Sequence, residues 1–166
     1  MDTLATIKAR YSCRVYLDKP VERELLKQLV DAGRRAPSGR KEMPVEFVVV
    51  TDPQMRKTIA DYTNYGKFIA TAGACILVIA RDVTYYLEDG CAAAENILLA
   101  ATALGLASCW VAGDKKPYAR QILDHLDVPA NYKLVAMLAI GYPKEPGKQP
   151  AHRPLDEVLH WERFGA

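Results

Sequence analysis

Gly90-Cys91-Ala92-Ala93-Ala94-Glu95-Asn96-Ile97-Leu98-Leu99-Ala100-Ala101 lies at the centre of the longest helix this chain encodes, predicted from about Tyr86 to Leu104. The small residues at Ala92–Ala94 and Ala100–Ala101 let a second helix approach closely, so the segment reads as core. Gly105 ends it. Downstream, Ala107–Val111 reads as a strand, Pro117 opens another helix, and Leu134–Ile140 is a last long strand stopped by Gly141-Tyr142-Pro143. Upstream, Cys75–Ala80 is a buried strand, preceded by a short helical piece from Asn64 to Ala70 and by a helix from about Gln54.

Further upstream, the β-branched and aromatic run Val45–Val50 predicts a strand, stopped at Asp52-Pro53. Pro20 stands where a helix can start without its N–H, and Val21, Leu25, Leu26, Leu29 and Val30 give that helix one apolar face. Ala36-Pro37-Ser38-Gly39 ends it. Asp2 or Thr3 caps a first helix, and the chain then passes through Arg10-Tyr11-Ser12-Cys13-Arg14 in a less regular state. Helices and strands interleaved in this way predict a layered domain of both, without internal repeat or boundary over residues 1–166. The Pro-, Gly-, Lys- and Gln-rich stretch Pro143–Pro154 cannot build a core, yet Leu155, Val158, Leu159 and Trp161 follow it. An arm over about 143–166 that docks on a partner subunit satisfies both facts.

Composition narrows the classes of function. The chain has 166 residues, half of them hydrophobic and a quarter charged, which fits one soluble domain with a real core. A net charge of +2 gives no general pull toward nucleic acid or anionic lipid, so any basic site is local. The start, Met1-Asp2-Thr3-Leu4, lacks a signal-peptide layout, and the most apolar stretch, Ile97–Gly113, falls short of a membrane span. Cys13, Cys75, Cys91 and Cys109 show no metal-ligand spacing and read as structural thiols in a reducing compartment, so the cytoplasm is the expected location.

His125, His152 and His160 form no metal motif and have no nucleophile partner, and no metal site is expected. No Gly-x-Gly-x-x-Gly follows a strand and no Walker loop is present, which excludes the common nucleotide sites. What remains is local positive charge beside apolar structure. Arg10 and Arg14 bracket Ser12, and Arg153 stands near the other end of the chain. Arginine forks with a serine hydroxyl suit a phosphate or a carbonyl edge, provided the two ends of the chain meet. Arg34, Arg35, Arg40 and Lys41 make a second basic cluster, either a solvated face or a dock for the phosphate of NADPH. Tyr62 and Tyr65 either line a pocket mouth or cover the core.

Five strings occur in one order: Arg10–Arg14, Ala36–Gly39, Gly90–Ala101, Gly105-Leu106-Ala107-Ser108-Cys109-Trp110, and Arg153-Pro154-Leu155. Together they resemble the FMN-dependent nitroreductase family over nearly the whole chain. The resemblance implies an α+β fold with a central mixed β-sheet flanked by helices, and a C-terminal arm exchanged in a homodimer with two FMN sites at its interface. It implies no catalytic side chain, since flavin N5 is the reactive centre. Arg10, Ser12 and Arg153 would hold the phosphate and ribityl chain, Arg14 the ring edge at N1 and O2, and Asn64 and Lys67 the same ring. Pro37, Ser38, Gly39 and Lys41 would come from the other subunit, and the backbone of Val111, Ala112 and Gly113 would approach N5 and O4.

The implied activity is hydride transfer from NADH or NADPH, through FMN, to nitroaromatic, quinone or similar small acceptors, in alternation. A flavin-binding protein without such turnover, or a dehalogenating or flavin-fragmenting relative, stays open beside it. Three departures mark this chain. Lys41 and Met43 replace the Asn and Gln of the family's Ala-Pro-Ser-x-x-Asn-x-Gln-Pro loop, Ala151 stands where a second basic phosphate ligand can occur, and little sequence remains for a substrate lid.

Overall fold

The structure, a computed structural model, describes residues 2–165; the first and last residues of the expected domain and arm lie outside that range. Five helices and four strands follow one another: α1 (Thr3–Ala9), α2 (Arg23–Arg34), β1 (Val45–Val50), α3 (Pro53–Tyr62), β2 (Ala74–Arg81), α4 (Tyr86–Ala103), β3 (Ala107–Ala112), α5 (Ala119–His125) and β4 (Tyr132–Gly141). The helix starts follow local chemistry. Asp2 accepts the N–H of Ala5 at 2.9 Å, and Asp52 that of Met55 at 2.7 Å with Pro53 in the first turn of α3.

The strands form one sheet in the order β1-β2-β4-β3. All three pairings are antiparallel, which corrects the expected mixed sheet within one chain; the parallel element is an isolated bridge between Ser12 and Ser108. Strands β2 and β4 are central, and both are apolar on every residue of their middle stretch because both faces are covered. On one face Leu77, Ile79 and Met137 pack with Ile59 of α3 and Ile122 of α5. On the other, Ile76, Val78 and Leu138 pack with Leu26 and Leu29 of α2 and Ile97 of α4. The small side of α4 is used as expected: Gly90 lies so close to Val135 that a Cβ would come within 2.6 Å of its Cγ2. Asn96 Nδ2 donates to Ala32 O at 3.1 Å and ties α4 to α2.

Three predicted boundaries shift. Helix α2 starts at Arg23 rather than Pro20, because Val21 is buried in an extended segment against Gly73 and Glu22 occupies the cap position. The piece predicted over Asn64–Ala70 is a 3₁₀ turn at Lys67–Thr71, delayed by a Thr63 hydroxyl that accepts the N–H of Gly66 at 2.9 Å. Helix α5 starts two residues after Pro117, capped by Tyr118. No helix among the described residues is long and apolar enough to cross a membrane.

After β4 the chain runs back past its own beginning. Gln149 Nε2 donates to the carbonyls of Ile7 at 2.8 Å and Arg10 at 2.6 Å, and Gly147 lies flat on the ring of Tyr11. Beyond Pro154 a single 3₁₀ turn (Leu155–Glu157) leaves Leu155, Val158, Trp161 and Phe164 exposed.

Candidate functional site

The free edge of β3 organises the site. Cys13 N–H donates to Ser108 O at 2.9 Å, so residues 10–14 lie along the outer edge of that strand, with Cys13 and Tyr16 buried and Ser12 and Arg14 exposed. Backbone groups alternate sides along a strand, and Ser108 points outward, so the N–H groups of Trp110 and Ala112 point outward too. Tyr118 Oη donating to Ala112 O at 2.8 Å fits that alternation. Gly113 N–H instead turns to Val135 O at 3.2 Å. Of the expected triplet Val111, Ala112 and Gly113, then, Ala112 keeps an outward donor while Gly113 spends its own within the sheet.

Beside that edge is a cleft of about 670 Å³. Its walls come from Arg14 and Phe68 on one side, Val111 and Ala112 at the strand end, and Lys116 and Tyr118 on the following loop. Asn64 and Tyr65 stand at its rim, with Tyr65 91% exposed. Of the two tyrosines left open by the sequence, Tyr65 therefore lines the mouth. Tyr62 packs against the core and meets the His125 ring edge-on at 6.2 Å. The Arg14 guanidinium lies 5.8 Å from the centroid of the Phe68 ring, a cation–π placement, and its Nη1 donates to Ser12 O at 3.4 Å. The charged residues lining the cleft are Arg14 and Lys116, both cationic, with aromatic and backbone groups between them.

Other expected residues sit elsewhere. Lys67 donates to the carbonyls of Ala60 at 3.2 Å and Asp61 at 3.1 Å, capping the C-terminus of α3, and does not line the cleft. The two ends of the chain do meet, through Gln149 and Arg10, but the Arg153 guanidinium is turned to Glu157, donating to its carbonyl at 2.9 Å. Pro37 and Ser38 line a separate cavity of about 320 Å³ with Asp89, sharing no residue with the Arg14 cleft, and Gly39 beside them donates its N–H to Asp89. Lys41 belongs to the same loop as a left-handed residue, φ 58°.

Sequence reasoning missed Asp89, Gln149, Phe68, Lys116 and Tyr118. Asp89 had a faint signal, one of two adjacent acids in the first turn of a largely apolar helix; the rest are placed by tertiary packing alone. Burial pushes the Cys75 thiol up to about 12 and the Cys91 and Cys109 thiols upward as well, which disfavours a nucleophilic role for these three. The basic cluster at 34–35 is paired with Asp31, whose carboxyl the two guanidinium groups hold below its usual range. Both guanidinium groups stay largely exposed to solvent beside that pair.

An aromatic cleft with two cations and outward backbone donors suits a flat ring that bears carbonyls and gains negative charge on reduction. That is the site of a flavoprotein-like redox class, and likeness to known proteins gives the family. The model described as "Putative TM nitroreductase" matches residues 2–164. A protein of Archaeoglobus fulgidus named "Putative NADH dehydrogenase/NAD(P)H nitroreductase" is 32% identical over 151 residues, 87% of each chain. Among solved structures, an FMN-dependent nitroreductase of Clostridium difficile R20291 superposes with a TM-score of 0.90 at 31% identity, covering 97% of this chain and 99% of that one. A "putative nitroreductase in complex with fmn" from Desulfovibrio desulfuricans gives 0.87 at 32% identity, covering 99% and 98%. The chain belongs to the nitroreductase family.

Proposed function

We propose that this chain is an FMN-dependent NAD(P)H oxidoreductase that reduces nitroaromatics, quinones or similar small acceptors, working as a homodimer of one FMN-binding domain per chain. The observation that supports it most is the meeting of Arg14, the outward N–H of Ala112 and the aromatic walls in one cleft on the free edge of β3. The residues present fit the cofactor. Arg14 faces where a pyrimidine edge would lie, Ala112 N–H offers a donor to the ring, and Asn64 stands at the rim. Arg10 and Ser12 flank the same strand edge and would hold the phosphate and ribityl chain, and Arg153 would have to release Glu157 to join them.

FMN, when bound, supplies two-electron chemistry, accepting hydride from NADH or NADPH and passing it to the acceptor. The chain supplies orientation and charge. Arg14 stabilises negative charge at the ring edge, and its stacking on Phe68 fixes it before that charge develops. The open rim at Tyr65 admits nicotinamide and acceptor in turn, with solvent as the proton source.

The dimer follows from an unsatisfied arm and an unsatisfied groove. A groove of about 1030 Å³ between α2 and the outer edge of β1 is lined by Val21, Leu26, Val30 and Val49, with Arg23, Lys27 and Arg34 and a single acid, Asp31, as its charged residues. The exposed arm offers Leu155, Val158 and Trp161 with Asp156 and Glu157, matched in both polarity and charge. The arm of a second copy is its proposed occupant.

Anaerobic titration of the purified protein with NADH and NADPH tests the reading. Yellow protein that bleaches and is re-oxidised by a nitroaromatic supports turnover, whereas yellow protein indifferent to both nicotinamides would reduce the claim to flavin binding. Arg10→Ala with Arg153→Ala should yield folded dimer depleted of FMN, and full occupancy in that variant would remove the phosphate assignment.

A further inference from the structure

Residues 38–43 form a loop of unusual shape. Arg40, Lys41 and Met43 have φ of 54°, 58° and 46°, so three of four consecutive positions place non-glycine residues in the left-handed region. Asp89, on the first turn of α4 and 5% exposed, sits behind them. Its Oδ1 accepts the N–H of Gly39 at 2.9 Å and its Oδ2 accepts the hydroxyl of Ser38 at 2.7 Å. The Ser38 oxygen in turn accepts the N–H of Met43 at 2.9 Å, closing a ring that spans the loop. Gly39 lies against Tyr85, where a Cβ would come within 2.7 Å of Cδ2, and the Arg40 guanidinium is 5.5 Å from the same ring.

Asp89 joins no ion pair among the described residues. A buried carboxylate that relies on two loop donors alone is poorly placed as a simple brace, because losing either donor leaves charge unsatisfied. The Ser38 hydroxyl is also occupied on both its donor and acceptor sides, so it has little left for a ligand. What the loop presents outward is Pro37, Arg40, Lys41 and Met43. It lines no part of the Arg14 cleft of its own chain.

We propose that Asp89 is a positioning residue. It shapes the Ser38–Met43 loop into the wall that one copy of the chain lays against FMN held in the Arg14 cleft of a second copy, with Ser38 as its strut and not as a flavin ligand. This inference rests on the function proposed above.

Flavin titration, the visible spectrum of bound FMN and subunit mixing test it. Asp89→Ala, in protein that still sediments as the wild type does, should weaken FMN binding by about tenfold or more and shift the flavin band. Asp89→Asn, which keeps an acceptor for Gly39 N–H, should recover most of both. Ser38→Ala should resemble Asp89→Ala, and the double variant should be no worse than the worse single one, as for two members of one network. If Asp89→Ala does not fold, Ser38→Ala alone decides: wild-type flavin affinity and spectrum in that variant overturn the proposal.

Mixing separates the two-chain role from a local one. Unfolded and refolded together, Asp89→Ala and Arg14→Ala chains give mixed dimers with one intact site, so activity should return to about a quarter of wild type under twofold symmetry. No recovery, with mixed dimers demonstrated, overturns the action across the dimer. Wild-type protein that takes up no FMN removes the oxidoreductase reading and this inference together. Wild type that binds FMN, matched by an Asp89→Ala variant with the same affinity and spectrum, removes the inference alone.

Discussion

Lys41 occupies a backbone conformation that its side chain disfavours. At φ 58° a residue with a Cβ loses on the order of 1–2 kcal/mol, and Asn is the non-glycine residue that tolerates the region best. The family loop resembles this one with Asn at that position, so the substitution to Lys is a local cost with a charge in return. Lys41→Asn should therefore raise stability by about 0.5–1 kcal/mol, read as a higher urea midpoint at unchanged slope. An unchanged or lower midpoint would mean that the Lys41 side chain makes up for its backbone. The arginines were legible at this scale and their partners were not. Arg14 stood out from its spacing with Ser12, whereas the turning of Arg153 to Glu157 depends on where the arm lies.

Helix α4 shows what local sequence can and cannot specify. Its length, its small face and the strands around it were readable because burial on both sides of β2 and β4 demands unbroken apolar runs. The antiparallel order and the Asp89 clamp were not, since both join residues far apart in sequence. Gly90 is the sharpest test of the packing. Replacing a helical glycine by alanine ordinarily stabilises by about 1 kcal/mol, yet here the new methyl would meet the buried, branched Val135. Overpacking of that kind costs about 1–3 kcal/mol, so Gly90→Ala should destabilise on balance, and Val135→Ala in the same chain should relieve part of the loss. Chemical denaturation of the three variants checks the sign; a stabilised Gly90→Ala would show that α4 can move off β4.

Tyr86, on the same helix turn as Asp89, donates to Asp114 Oδ1 at 2.7 Å and so steadies the loop that ends the cleft. That hydrogen bond, with some burial, pushes the Tyr86 phenol up to about 12. The folded state thus holds this proton more tightly than the unfolded one, whose phenol ionises near 10. The contribution is complete below about pH 10 and disappears as pH rises through about 12. The wild type should lose more of its urea midpoint across that window than Tyr86→Phe does. Equal losses would place the alkaline sensitivity in other tyrosines.

At the scale of the whole molecule, one chain leaves its own surfaces unfinished in two matched places. The arm ends in an exposed apolar segment, with Trp161 66% exposed, and the groove beside the free edge of β1 has the apolar floor and basic border to receive it. A domain of this size rarely tolerates both on its surface, because each would add an apolar patch open to unspecific association. An exchange of arms between two copies would bury both at once. Removing residues 155–166 should therefore do two things together: shift the sedimentation boundary from dimer toward monomer as concentration falls, and lower FMN occupancy even though Arg10, Ser12, Arg14 and Arg153 are intact, because the loop wall from the second copy is lost with the dimer. Arg153→Ala alone should lower occupancy without changing sedimentation. If the truncated chain remains a dimer at the lowest concentration measured, surfaces other than the arm hold the copies together and the arm serves only to cover the groove.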